Sequence, residues 1–505
     1  MLAKVFSAAI VGLDAQLIEV EVETSYGLRH FAIVGLPDKA VEEAKERVAS
    51  AVKSSGFQSP NQQPVRILVS LAPADLKKEG SLYDLPIALG YLLAAKKVKF
   101  EHSNRIFLGE LALDGRLRPI KGVVSFAIAA KEKGISEIIL PKENAQEAAL
   151  IKGVKVVGVE NLKEVIDYLE GSKEISSLHL DPELWRSQRE YSMDLCYVKG
   201  QESSKRALEI AASGDHNLLM TGPPGAGKTI MAKSLPSILP PLEFEEALEV
   251  TKIYSVAGLL PKNRPLISAR PFRSPHHTSS EAALIGGGTP PKPGEITLSH
   301  RGVLFLDEFP EFHRDVLESL RQPLEDRQIT VMRARHSTTF PCSFQLVASA
   351  NPCPCGNLGD EEKNCGCTTS QVRMYTRKMS GPLMDRVDLF INVPKLKYEK
   401  LAADQEKCSC EETRERVKSA REIQKARFNK TATNSEMTLP QIKKHCQVNS
   451  SSSELLKKYV DSGKLSARGY HRVLKVARTI ADLDNSSSVK YSHVSEALMY
   501  RVRAD

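Results

Sequence analysis

Leu218-Leu219-Met220-Thr221-Gly222-Pro223-Pro224-Gly225-Ala226-Gly227-Lys228-Thr229 is an apolar run that breaks into glycines and closes on Lys-Thr. It fits G-x-x-x-x-G-K-[ST], with a strand-like stretch before it and a helix-like stretch after it. That context gives each residue type a task. Glycines let backbone N–H groups curl around phosphates, and the helix start adds a favourable dipole. Lys228 can neutralise the β and γ oxygens, and the Thr229 hydroxyl can hold Mg2+. Gly222, Pro223, Pro224, Gly225, Ala226, Gly227, Lys228 and Thr229 are therefore the expected nucleotide loop, with ATP and Mg2+ as its ligands.

Further along, Val303-Leu304-Phe305-Leu306 reads as a buried strand ending in Asp307-Glu308. An acidic pair at such a strand end suits Mg2+ ligation by Asp307, through water, and general-base action by Glu308 on an attacking water. A third strand, Gln345 to Ala350, ends in Asn351, whose amide is suited to orient that water. Gly381 to Asp388 sets Arg386 among Asp385 and Asp388, which by charge pattern alone reads as a solvated salt-bridge cluster. Together the strands and acids point to ATP hydrolysis.

Cys353, Cys355, Cys365 and Cys367 place four thiols within fifteen residues bounded by Pro and Gly. Four sulfurs can complete a tetrahedral Zn2+ site that pins a loop. Free thiols and a [4Fe–4S] cluster are the competing readings. Cys408 and Cys410 are near enough in sequence to contribute.

The chain has 505 residues, which suggests about three domains. Its 41% hydrophobic and 26% charged residues are ordinary for globular proteins and exclude wholesale disorder. The longest apolar run, Leu85 to Ala95, is too short to span a bilayer. Nine cysteines are too few for a disulfide scaffold, so a reduced, cytoplasmic location is expected with no membrane partner. Val5 to Leu13 faintly imitates a signal peptide, but Leu17 to Glu23 alternates apolar and acidic, and Gly12-Leu13-Asp14-Ala15 reads as the turn between two strands. The net charge of +8 lies wholly in residues 411–505, which hold 19 Lys and Arg against 11 Asp and Glu.

The patterning is α/β throughout, except at the C-terminal end. Arg66 to Leu71, Glu137 to Leu140 and Val154 to Val159 read as strands, and Asp84 to Ala95 and Ala145 to Ile151 as helices. Residues 171–193 form a polar linker holding Trp185, the single tryptophan, which is expected to dock on a neighbouring domain. Residues 395–411 form a second connector. Beyond it Val417, Ala420, Ile423 and Phe428, then Val473, Val476, Ala477 and Ile480, keep a helical period.

With these residues in view the chain resembles the magnesium-chelatase-like AAA+ ATPases, closest to the YifB/ComM branch. The resemblance rests on the P-loop, Val303 to Glu308, Ser349 to Pro352 and Ser380 to Asp388. It continues in Val34 to Asp38, Leu71 to Gly80, Arg270 to Thr278 and Ser466 to Arg472. It implies that Asn351 is sensor 1, Arg386 an arginine finger inserted into a neighbour's site, and Arg468 the sensor 2 arginine. It also implies a ring, usually a homo-hexamer. Residues from about Thr251 to Gly294 would form a helix-2 insertion, and Glu325 to Phe340 a pre-sensor-1 hairpin. The hairpin carries Arg327, Arg333 and Arg335, expected to grip DNA phosphates in a pore. His276-His277 tempts a metal reading, but adjacent side chains diverge on a strand or helix, which favours structural or pore roles.

The implied architecture is a Lon-protease-like (ribosomal S5 domain 2-like) domain over residues 1–170, an AAA+ core over 194–394 and a helical lid over 412–505. The likeness in the first domain runs through Leu111 to Gly122 and Ile139 to Asn144. Ser81 lies near where that family's nucleophile falls, but Val124 stands where its lysine would be, so the domain is expected to be a scaffold without proteolysis. The function so implied is an ATP-driven DNA motor. It would be a branch-migration helicase acting in homologous recombination and in DNA integration during natural transformation, on branched, single-stranded or double-stranded DNA and with recombination proteins as partners. The alternative is an ATPase subunit that remodels a protein partner, as in magnesium chelatase.

Overall fold

The alternation around Gly12 becomes a hairpin: strands Leu2–Val11 and Asp14–Tyr26 pair antiparallel with Val11 opposite Asp14. Gly12 turns the chain at a φ of 67°, a region open to glycine at little steric cost. The computed structural model describes residues 1–178, 180, 191, 193–261, 264–288, 291–333, 336–360, 363–379, 381, 383–395, 410–429 and 431–501. Trp185 and Cys408 lie outside the described residues, as does Arg335.

The chain divides into two units, residues 1–188 with 244–268, and residues 189–243 with 269–505. In the first, a seven-stranded sheet runs in the order His30–Val34, Val65–Ala72, Asp14–Tyr26, Leu2–Val11, Arg105–Phe107, Glu137–Pro141, Lys155–Val159. The helix Asp84–Ala94 is buried along almost its whole length, which explains why its sequence is apolar all round rather than on one stripe. Its one acid, Asp84, is held by Arg47 at 2.6 Å and by the Leu111 N–H at 3.1 Å, the pairing that a buried carboxylate needs. The predicted helix over Ala145 to Ile151 shortens to Ala145–Ala148.

The helix Phe244–Ala257 departs from the expected domain boundaries. It lies in the middle of the expected ATPase core, yet belongs to the first unit. The Gly122 N–H donates to the Ser255 carbonyl at 3.1 Å, the Ser255 hydroxyl to Glu147, and the Lys252 ammonium to Asp14. The single insertion expected over Thr251 to Gly294 is accordingly split. Residues up to Ser268 join the first unit, Phe272–Arg273 enters the sheet of the second, and only a short ribbon, Gly286–Gly287 against Lys292–Pro293, separates the small helices Glu281–Ile285 and Glu295–Leu298.

In the second unit five parallel strands lie in the order Phe272–Arg273, Val303–Leu306, Gln345–Ala350, Leu218–Thr221, Leu389–Asn392. Every residue of Val303–Leu306 and Gln345–Ala350 is buried, as expected of strands covered on both faces. The chain enters this sheet at Leu218–Thr221 and later adds strands on both sides of it. Its carboxyl end is therefore a topological switch point, where open α/β sheets bind ligands.

The helices expected as a separate lid share a core with this sheet. Val473, Val476, Ala477 and Ile480 of the helix Ala467–Leu483 pack in one apolar cluster with Leu208 and Ile210 of the helix Glu202–Gly214 and with Leu218 and Leu389. The connector over 395–411 thus separates stretches of sequence that fold around one core. Asn449 caps the helix Ser450–Asp461 by accepting the Ser452 N–H at 3.0 Å, as a side-chain oxygen at that position does. Among the described residues no helix is long and apolar enough to cross a membrane.

Candidate nucleotide site

The loop after Leu218–Thr221 feeds directly into the helix Lys228–Ile238. Gly227 sits at a φ of 91°, so the chain can reverse into the helix and leave its first N–H groups pointing toward the loop. Lys228 curls over this loop: its ammonium donates to the Gly222 carbonyl at 2.6 Å, the Pro223 carbonyl at 3.0 Å and the Asn351 side-chain oxygen at 3.1 Å. Burial pushes its pKa below the ordinary value, against the pull of Asp307 and Glu308. A buried cation whose hydrogen-bond acceptors are neutral oxygens is one that an incoming phosphate would stabilise.

Thr229 donates its hydroxyl to Asp307 Oδ2 at 2.8 Å, and Ser349 donates to Oδ1 of the same carboxylate. The first turn of the helix Lys228–Ile238 and two adjacent strands thus bring a hydroxyl, a carboxylate and a second hydroxyl together, the oxygen-rich set that suits Mg2+. These residues fit the ion, and Thr229 and Asp307 are the side chains that would hold it. Glu308 takes a left-handed backbone with φ 52°, and its N–H donates to Asp307 Oδ1 at 3.1 Å and to Ser349 Oγ at 3.3 Å. The turn presents the Glu308 side chain at the strand end beside the loop. There it lies 3.3 Å from His277 Nδ1, whose ring stacks on His276 at 4.2 Å. Sequence reasoning missed this contact because His277 and Glu308 lie far apart in the chain and no spacing rule links them.

Arg386 and Arg468 are found elsewhere on the unit. The Arg386 carbonyl accepts from the Asn217 side chain at 2.9 Å, and the Arg386 guanidinium pairs with Glu325. Asn217 precedes the strand Leu218–Thr221, so Arg386 lies at the edge opposite the P-loop. Arg468, at the start of the helix Ala467–Leu483, pairs with Asp385 at 3.2 Å and therefore lies at that same edge. The Asp385–Asp388 segment is only partly the solvated cluster that its charge pattern suggested. Asp388 is buried, accepting from the Asn217 N–H at 3.0 Å and pairing with Arg472 and His216.

The hairpin forms where expected, Gln328–Arg333 against His336–Pro341, with Arg333 opposite His336. Arg327 lies just before the first strand of this hairpin. It turns back into the unit, donating to Ser343 Oγ at 3.2 Å and pairing with Glu436, a geometry that fits a structural role and not a phosphate contact.

The four cysteines converge. Cys353 lies 3.4 Å from Cys355 and 3.6 Å from Cys365, Cys355 lies 3.6 Å from Cys365, and all four sulfurs including Cys367 fall within 4.8 Å of one another. A tetrahedral Zn2+ with bonds of about 2.3 Å separates its sulfurs by about 3.8 Å, so the cluster fits the ion. Disulfide bonding would require sulfurs about 2.05 Å apart. In the first unit Ser81 donates to Glu110, the Lys78 ammonium is turned to the Pro73 carbonyl, and Val124 is buried.

A Walker-type loop and acidic strand end on a parallel sheet of this order define a P-loop ATPase core of the AAA+ magnesium-chelatase type. Sequence comparison agrees. The family model for magnesium chelatase, subunit ChlI, matches residues 194–401, that for subunit ChlI of Mg-chelatase residues 20–144, and that for the ChlI C-terminal region residues 407–501. The chain is 42% identical to the competence protein ComM of Haemophilus influenzae over 99% of its own length and 97% of the relative's. It is also 42% identical to the uncharacterised protein YifB of Escherichia coli over 99% and 97%. A shorter match, 29% identical over 24% of this chain and 21% of the relative, is to Lon protease 2 of Bacillus subtilis. The chain belongs to the magnesium-chelatase-like YifB/ComM family.

Proposed function

We propose that this chain hydrolyses ATP as a ring-forming cytoplasmic motor on DNA, driving branch migration in recombination and in the integration of transforming DNA. The observation that carries the reading is the separation of the two halves of the site. Lys228, Thr229, Asp307, Glu308 and Asn351 gather at one end of the strand Leu218–Thr221, while Arg386 and Arg468 gather at the other. Arginines held at that distance would serve the γ-phosphate of a neighbouring subunit, and an arginine supplied in trans couples hydrolysis to assembly. A closed ring is the assembly in which every subunit both gives and receives such a residue.

In the working site Asp307 and Thr229 would hold Mg2+, which would supply charge neutralisation for the phosphates. Glu308 accepts a proton from the attacking water, and Asn351, already aimed at Lys228, orients that water. The DNA assignment rests on the relationship to ComM, whose name ties that protein to competence. It rests also on the hairpin, whose Arg333 and Arg335 would meet phosphates. The first unit reads as a Lon-like scaffold, with Ser81 engaged by a carboxylate rather than by a lysine, and the cysteine cluster as a structural Zn2+ site.

ATPase rate and oligomeric mass measured with and without four-way-junction DNA test the proposal. Stimulation by branched DNA together with a hexamer supports it. A rate indifferent to DNA, raised instead by a protein partner, would favour the remodelling ATPase of magnesium chelatase.

A further inference from the structure

The cysteine cluster is not an isolated surface knot. It begins two residues after Asn351, and the loop it closes is packed against the P-loop. Gly356, one residue beyond Cys355, has a φ of 80° and comes so close to Pro224 that a Cβ there would lie 2.5 Å from the proline Cδ and 3.9 Å from Asn351 Cγ. On the other side of the cluster, Thr368 caps the helix Thr369–Lys378, which buries Tyr375 with its hydroxyl facing the backbone of Asn351. The four-thiol loop therefore approaches the phosphate loop at Pro224 and lies beside Asn351, whose side chain contacts Lys228.

We propose that Zn2+ in the Cys353–Cys355–Cys365–Cys367 site is the buttress of the nucleotide pocket, so that metal occupancy and nucleotide affinity are linked. With the four thiolates bound to one ion, the loop is a closed ring whose floor is Gly356, and Pro224 has a fixed surface to rest on. Without the ion the chain between Cys353 and Cys367 loses its cross-link, and the conformational entropy it regains is taken from the order of Pro224 and Asn351. Linkage is reciprocal: whatever factor Zn2+ contributes to nucleotide binding, nucleotide contributes to Zn2+ binding. The inference rests on the zinc reading above and extends it from a structural role to control of the active site.

The experiment uses the full-length protein at saturating Mg2+. Bound zinc is measured by elemental analysis, and the affinity for a non-hydrolysable ATP analogue by titration, before and after a zinc-selective chelator. One zinc per chain and an affinity about tenfold weaker on its removal are expected, with the analogue slowing zinc release by a similar factor. Gly356→Ala keeps all four ligands while pressing a Cβ against Pro224 and straining the left-handed turn that holds that contact. It should retain its zinc and bind the analogue about tenfold more weakly, a result that does not depend on whether the stripped protein stays folded. Stoichiometric zinc with unchanged affinity in both the stripped protein and Gly356→Ala would overturn the coupling and leave the zinc site standing. Protein without zinc, and with the same metal content after Cys355→Ser, would overturn the site itself.

Discussion

Arg468 reaches Asp385 across 3.2 Å, one residue before Arg386, and so the two arginines of the candidate catalytic set share one edge of the sheet. Both lie at the amino end of the strand Leu218–Thr221, and the P-loop lies at its carboxyl end, across a four-residue strand that spans about 13 Å. On the reading proposed above, both guanidinium groups serve a neighbouring subunit's phosphates and not their own. Arg386→Ala is therefore expected to bind ATP normally and to lose hydrolysis by about 1,000-fold or more. Mixing it with Lys228→Ala should restore part of the activity, because one variant supplies the intact loop and the other the intact arginine. ATPase rate against mixing ratio is the measurement, and no activity above that of either variant alone at any ratio would contradict action in trans.

Lys228 and Glu308 should separate cleanly in their effects. Removing the Lys228 ammonium takes away a charge-assisted contact to phosphate worth about 1.5–3 kcal/mol, so Lys228→Ala should weaken nucleotide binding about 10- to 100-fold. Glu308→Gln keeps the shape and loses the base, so binding should persist while turnover falls about 100-fold or more. Titration with a fluorescent nucleotide beside steady-state kinetics distinguishes the two.

His277 contacts Glu308 at 3.3 Å and is itself stacked on His276. Through that contact it would act on Glu308 as a positioning residue. His277→Ala is expected to lower kcat about tenfold while leaving KM for ATP near its original value, the pattern of a misaligned base rather than a lost binding contact. His277→Asn, which retains a donor, should recover part of kcat.

Asp388 links the strand Leu389–Asn392 to the helix Ala467–Leu483 through Arg472. Burial alone would raise its carboxyl, but Arg472 and His216 outweigh that and hold it far below the ordinary range. A carboxyl lowered in the folded state gives stability that is present above its unfolded value, near pH ~4, and is lost as pH falls through the folded value. Asp388→Asn should cost about 3 kcal/mol at pH 7 and flatten the acid limb of stability. Urea unfolding at pH 7 and at about pH 2, below the unfolded value, checks both.

The hairpin arginines should divide. Arg333→Ala and Arg335→Ala are expected to weaken DNA binding at every sequence tested and to reduce the salt slope by about one each. Arg327→Ala should leave that slope alone and lower the melting temperature, since its partners are Ser343 and Glu436. Binding isotherms at several salt concentrations and a thermal melt make the distinction.

What could be read in advance follows from the range of the interactions. The P-loop, the acidic strand end and the Gly12 turn are local: a phosphate cradle or a hairpin is specified by residues that are neighbours in sequence, and each formed where its spacing placed it. The four cysteines span only fifteen residues, so their convergence was likewise legible. Contacts between distant segments left no such trace. Arg327 carried the right charge for a DNA contact, and nothing in its neighbourhood announced Glu436. The helix Phe244–Ala257 lay inside the ATPase core by sequence, and its partners Gly122, Glu147 and Asp14 lie more than a hundred residues away.

By itself, then, the sequence determined the chemistry: a loop for phosphate, acids for Mg2+ and water, and thiols for a metal, each fixed by residue type and short-range spacing. The tertiary structure decided which groups act on which. It set Arg386 and Arg468 at the edge away from their own P-loop, brought His277 to Glu308, and leaned Gly356 on Pro224. The physical reason is that packing and charge pairing act through space. Their partners are chosen by the path of the folded chain, to which hydrophobic burial contributes without regard to sequence distance.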